Sequence, residues 1–323
     1  SDQPPLFTYL LSFVLRIAGF EVAPARLFVL LFSTLLVWAG AQSLQLSRGK
    51  LAALLFLPLI VITPRYLVLS VSVMIGLPSI TLAMVSLLGV MLWHVQKKSG
   101  WLAFSGFALG LSVLIKLFTG FLAPIFLIGL TLAAYAENKK DGFSWKMFRP
   151  AFIWGLCFAS LVIFLGVGLV GFQNLWQIIY PHLAAPAEES LQSIDYTLRT
   201  HLQPALPLIV LAIWGALVSI YKKNWLMLYP LSCAVSAYVM FSFYSPVFYH
   251  HLLLITIPAA MFGALAVEDA IQTIGRIRQP SLWVRAQSIL GVAVLVCFGL
   301  ILYHYAPVLD SELMDRPQLS DFS

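Results

Sequence analysis

The sequence predicts an all-α, polytopic integral membrane bundle of about ten spans plus interfacial helices, and three observations carry that prediction. First, 61% of the residues are hydrophobic and 10% charged, with a mean hydropathy of +0.93. A soluble domain of this length would expose far more apolar surface than water tolerates. Second, the apolar runs approach the ~20 residues a helix needs to cross a bilayer. They are too long for barrel strands, and the period-2 alternation of a barrel is absent. Third, the basic residues gather in alternate short loops, as topology signals do. That placement also argues against nucleic acid as the reason for a net charge of +6.

Spans are expected at roughly 26–45, 51–64, 79–96, 101–115, 118–136, 150–170, 206–221, 225–243, 250–267 and 286–305. The second is short and is expected to continue past Pro64 toward Leu69. Segment 6–20 is apolar but carries Arg16 and is only about 15 residues long; read as a span it would invert every later loop. It is therefore expected to lie in the outer interface. In loop 171–205, Leu191, Ile194, Leu198 and Leu202 recur at helical spacing opposite Glu188, Glu189 and Asp195, which predicts a second interfacial helix. The chain thus divides into 1–25, the end of an external loop with its interfacial helix; 26–305, the bundle; and 306–323, an external tail.

One set of alternate loops holds 13 of the 19 basic residues, from Arg48 and Lys50 to Arg276, Arg278 and Arg285, against four of the 13 acids. By the positive-inside rule these loops are cytoplasmic, and both ends of the chain are then extracytoplasmic. Cys157, Cys233 and Cys297 fall within spans without paired spacing and read as small buried hydrophobes. Ser1 is preceded by no visible leader, so the chain is expected to be a fragment or a processed product.

Lys116 is the single charge between Trp101 and Ala136, at the turn of two spans and on the face opposite Lys97, Lys98, Lys139 and Lys140. An ionisable residue at such a place marks a ligand site or pathway; the alternative is a lysine that snorkels to the interface and caps the turn. Arg65 follows Pro64 near a span end. His250 and His251 open a span, where free N–H groups and imidazole can hold an anion; the alternative is an aromatic belt shared with Phe248 and Tyr249. Adjacent helical residues point ~100° apart, so the pair is not expected to bind one metal. His182, His201, His304 and Tyr305 fall on the same outer face. A cationic site bordering lipid suits a phosphate group on a membrane-embedded carrier. No nucleotide-binding loop, zinc-protease helix or serine-nucleophile turn is present.

Three passages carry a family resemblance: DQPPLFTYLLSFVLRIAGF (Asp2 to Phe20), GFALGLSVLIKLFTGFLAP (Gly106 to Pro124) and SPVFYHHLLLITIPAAMFGALA (Ser245 to Ala266). Together they resemble the GT-C class of polyprenyl-phosphate-dependent glycosyltransferases, in the branch of protein mannosyltransferases and aminoarabinose transferases (family 39-type). The resemblance implies transfer of a sugar from a polyprenyl phosphate or diphosphate to a lipid, glycan or protein acceptor at the outer face of a bacterial inner membrane. It aligns Lys116 with the family's lysine, and His250 and His251 with its histidine pair. These, with Arg65, are expected to bind the donor phosphate; Asp2, Gln3 and Tyr249 are expected to contact donor or acceptor. The general base, an acid of the first external loop, is expected upstream of Ser1, along with an initial span. No cofactor is assigned, and a divalent metal stays open because its acidic ligand would lie in that upstream region. A transporter, or a non-catalytic or polymerase-type subunit handling lipid-linked saccharides, is the competing reading.

Overall fold

The computed structural model describes residues 4–63, 65–138, 144–171, 205–243 and 248–274, with parts of 289–300. The helices are α1 (Leu6–Ala18), α2 (Val22–Ser47), α3 (Lys50–Val61), α4 (Tyr66–Val71), α5 (Gly76–Gln96), α6 (Ser99–Ile115), α7 (Leu122–Asn138), α8 (Arg149–Val170), α9 (Leu206–Tyr221), α10 (Leu228–Phe243) and α11 (Leu253–Ile274). Short 3-10 turns lead into α7 (Leu117–Phe121), α10 (Trp225–Met227) and α11 (Tyr249–Leu252).

Among the described residues six helical stretches are long and apolar enough to cross a membrane: Val22–Ser47, Gly76–Gln96, Leu117–Asn138, Arg149–Leu169, Trp225–Ser242 and Tyr249–Ile274. The remaining four expected crossings correspond to the shorter apolar helices Lys50–Val61, Ser99–Ile115, Leu206–Tyr221 and the partly described Gly291–Leu300. The protein is an all-α membrane bundle. Segment 6–20 is helical over Leu6–Ala18 with most of its surface exposed. The helix expected within 171–205 lies outside the described residues, as does the tail from 301.

Helices α5 and α11 form the centre. Within their spans 89% and 94% of the residues are buried, against 11% for α8. Helix α5 packs on α2 and α6, α11 on α3, α9 and α10, and α6 on α8. Lipid supplies no hydrophobic drive between helices, so close backbone approach and hydroxyl bonds do much of the joining. A Cβ on Gly106 would lie 2.6 Å from the Trp154 carbonyl of α8, and one on Gly215 only 1.8 Å from the Phe262 carbonyl of α11. Between α5 and α6 the serines pair reciprocally: Ser86 Oγ donates to Ser105 O (2.8 Å) and Ser105 Oγ to Ser86 O (2.7 Å). One heptad along, Ser79 Oγ donates to Ser112 O (3.0 Å). Trp154 Nε1 also donates to Ser105 Oγ at 2.9 Å, tying in α8.

The sequence reading differs from the structure in two places. The expected continuation past Pro64 is broken: α3 stops at Val61, and Arg65 adopts a left-handed φ of 63° to start α4. The residue before a proline disfavours helix, and Thr63 Oγ1 ends α3 by donating to Leu59 O (3.0 Å). The expected span end at 267 is passed by seven residues, because Glu268 is buried rather than in a loop. Arg48 Nε lies 3.3 Å from its carboxylate, Gln272 Nε2 donates to it at 2.9 Å, and neighbouring Asp269 pairs with Lys222. Those partners offset the cost of burying the charge.

Candidate functional site: a buried lysine and histidine pair

Helix direction fixes two ends of the bundle. Helix α6 runs from Lys98 to Lys116, about 26 Å at 1.5 Å per residue, and α11 runs from the histidine pair to Glu268 and Asp269. Lys116, His250 and His251 therefore gather at one end. Arg48, Lys222, Glu268 and Asp269 gather at the other.

Lys116 sits where α6 ends. Its backbone is extended (φ −153°, ψ 120°), and it separates α6 from the 3-10 turn Leu117–Phe121. The side chain is 8% exposed. Nζ lies 2.5 Å from His250 Nε2, across 134 residues of sequence. An ammonium has only donors, so the imidazole Nε2 accepts and His250 carries its proton on Nδ1. That Nδ1 is buried and has no hydrogen-bond partner among the described residues. The rings of Phe118 and Phe248 flank Nζ at 5.2 and 5.9 Å from their centroids, a cation–π setting.

His251 adopts the opposite tautomer. The Phe248 N–H donates to His251 Nδ1 at 3.3 Å while His251 N–H returns to Phe248 O at 2.9 Å, so Nε2 of His251 bears the proton. Phe241 stacks on His251 at 5.5 Å and Phe118 lies against it at 4.6 Å. Phe248 stacks on His250 at 5.7 Å. The aromatic belt and the polar pair are thus parts of one structure. Gly76, opening α5, makes room for it: a Cβ there would lie 2.5 Å from His250 Cδ2.

Tyr249 donates its hydroxyl to Met74 Sδ at 3.2 Å, alongside the pair. Arg65 is exposed at the start of α4, and among the described residues no hydrogen bond or ion pair joins it to Lys116 or His250. Asp2, Gln3, His182, His201, His304 and Tyr305 lie outside the described residues. Sequence reasoning missed Gly76, which makes room for His250, and Ser112 and Thr119, which bond the Lys116 backbone, with Ser79 bonded to both of those hydroxyl residues. The signal was present as hydroxyls at 79 and 86 on α5 and at 105, 112 and 119 on and beyond α6.

Chemically, the arrangement is one cation against an imidazole whose far N–H has no acceptor among the described residues, walled by aromatic rings. The ammonium and the Nδ1–H lie on opposite edges of the imidazole, so each is a donor to a separate oxygen of an anionic group. Among the described residues no group of three or more His, Cys, Asp or Glu side chains could hold a metal ion.

The solved structures that the chain resembles share this bundle. It aligns with the apo oligosaccharyltransferase of Archaeoglobus fulgidus over 96% of its own length and 48% of that chain, with a TM-score of 0.63 and 13% identity. It aligns with ArnT from Cupriavidus metallidurans in the apo state over 94% of this chain and 63% of that one (TM-score 0.63, 16% identity). With the same protein bound to undecaprenyl phosphate the values are 95%, 64%, 0.58 and 16%. The chain thus spans between about half and just under two thirds of these proteins. No curated protein matches it. The fold is shared with these membrane proteins. Residues 2–167, a little over half of the chain, match the family described as dolichyl-phosphate-mannose-protein mannosyltransferase, and to that family the chain belongs.

Proposed function

We propose that the chain forms the membrane core of a glycosyltransferase that moves a sugar from a polyprenyl phosphate or diphosphate to a lipid, glycan or protein acceptor. One observation carries the reading: Lys116 and His250 meet in a buried, aromatic-walled pair in which, among the described residues, the His250 Nδ1–H has no acceptor. In the reaction the acceptor hydroxyl attacks the anomeric carbon, and the bond from that carbon to the phosphate oxygen breaks. Negative charge then grows on the leaving phosphate. Lys116 and the His250 N–H are donors suited to receive it in surroundings of low dielectric. Arg65 and His251 complete the donor-phosphate set, and Asp2, Gln3 and Tyr249 contact donor or acceptor. A carboxylate must take the acceptor's proton; it is assigned to the first external loop.

The bundle is read as about ten spans in a bacterial inner membrane, with the Lys116 end extracytoplasmic. The 13 basic residues of the opposite loops support that orientation. Family membership and the shared fold support the reaction class.

The test is Lys116→Ala in the full-length protein. Truncating one partner of a buried charged pair costs about 2–5 kcal/mol, so binding of undecaprenyl phosphate in lipid nanodiscs should weaken by roughly 30-fold or more, with transfer lost. A variant that binds and turns over like the wild type removes Lys116 from the site and the reading with it.

A further inference from the structure

We propose that Thr119 is a positioning residue, holding Lys116 in the broken-helix conformation from which its ammonium reaches the site. The inference rests on the donor-phosphate reading of Lys116 and extends it to a residue beyond the pocket.

A helix that ends in apolar surroundings leaves carbonyls without partners. At the end of α6 two carbonyls, those of Ser112 and Lys116, accept from side-chain hydroxyls. Ser112 O accepts from the Lys116 N–H at 2.9 Å and from Ser79 Oγ at 3.0 Å. Lys116 O accepts from Thr119 Oγ1 at 3.2 Å, and the Thr119 N–H approaches it only at 3.5 Å. Thr119 Oγ1 lies in turn 2.8 Å from Ser112 Oγ and 3.4 Å from Ser79 Oγ. The Ser112 proton serves either Thr119 Oγ1 or Ser79 O, which is 2.7 Å away. All three hydroxyl side chains are fully buried.

Position 119 therefore adds one rung to the reciprocal serine ladder of α5 and α6. Residues 105, 112 and 119 are spaced by seven, as are 79 and 86 across from them, yet the chain between 112 and 119 is no longer one continuous helix. The competing state is an α-helix continued through residue 120, in which the Gly120 N–H would take the Lys116 carbonyl and the lysine stem would turn away from His250. The Thr119 hydroxyl removes that advantage, because it satisfies the Lys116 carbonyl in the broken form. Loss of the hydroxyl leaves the carbonyl nearly orphaned and favours the continuous helix.

The test is a double-mutant cycle in the full-length protein, reading the Kd for undecaprenyl phosphate in nanodiscs and the apparent melting point without ligand. Thr119→Val keeps the shape and deletes the hydroxyl; the expected result is about tenfold weaker binding with little change in melting. Thr119→Ser restores the affinity. In a Lys116→Ala background, Thr119→Val has no further effect, because the two act through one ammonium. Unchanged affinity in Thr119→Val, or losses that add to those of Lys116→Ala, overturns the proposal. Should Thr119→Val fail to insert, Ser79→Ala, which removes a bond into the same cluster from α5, is carried through the same cycle with the same expectations. Wild-type binding by Lys116→Ala defeats the donor-phosphate reading itself, and this inference with it. Loss in Lys116→Ala without loss in Thr119→Val defeats the inference alone.

Discussion

Lys116 and His250 are held by what surrounds them as much as by each other. The imidazole lies directly over the start of α5, where position 76 has no side chain. Gly76→Ala would place a methyl 2.5 Å from His250 Cδ2, closer than carbon atoms tolerate. The ring packs between Phe248 and Phe118, which restrict its movement. We expect this variant to weaken undecaprenyl phosphate binding about tenfold while costing about 1–3 kcal/mol of stability, as other overpacked sites do. Titration calorimetry beside thermal unfolding separates the two effects; normal affinity would show that the imidazole's position is not what the ligand reads. At this scale the sequence was partly legible. A lysine isolated in 36 apolar positions announced itself, and so did a histidine pair at a span start. Their partnership could not be read, because 134 residues separate them and only tertiary packing brings them together. Gly76 gave no signal, since a glycine before a proline-containing helix start has several ordinary explanations.

Among the described glycines, Gly215 at the crossing of α9 and α11 makes the closest approach to another helix. The Gly215 backbone reaches the Phe262 carbonyl so closely that any Cβ would overlap it. Gly215→Ala must therefore separate two helices that otherwise share a long seam, and no side-chain rotation can relieve backbone against backbone. We expect a loss of about 1–3 kcal/mol or more, seen as a fall in the apparent melting point of the purified protein by several degrees; an unchanged melting point would mean that the seam is looser than described. Helix positions were legible from hydropathy within a few residues, because apolar length dominates the signal. The ends were less so. Proline and a left-handed Arg65 stopped α3 where composition favoured continuation. Helix α11 ran on through Glu268, since a carboxylate reads as a loop residue until its arginine is located.

For the whole molecule, the separation of the Lys116 end from the Arg48, Lys222 and Glu268 end makes a sidedness prediction. Arg65 and Lys98 are both exposed and lie at opposite ends of the bundle. With the native cysteines replaced, Arg65→Cys should react with a membrane-impermeant maleimide in intact cells, and Lys98→Cys only after permeabilisation. The reverse pattern would turn the assigned orientation over. Fold class was legible from composition alone, since a chain this apolar has no soluble solution. Which helices sit centrally was not, because hydropathy reports how apolar a segment is and not whether lipid or protein covers it: α8, the least enclosed of the three, is more apolar than α5 or α11.

The uneven enclosure of these helices has a consequence for how the chain can change over generations. Helix α8 packs on α6 near Gly106 and Gly110 and on α7 through Trp154, and it leaves Phe152, Leu156, Ile163 and Phe164 exposed. Its outer positions can drift freely among greasy residues of any shape. Helices α5 and α11 have no such latitude, since nearly every position touches another segment of protein. Heritable variation should therefore pool on the rim of the bundle and thin out toward its axis, even where the axial residues never meet a ligand.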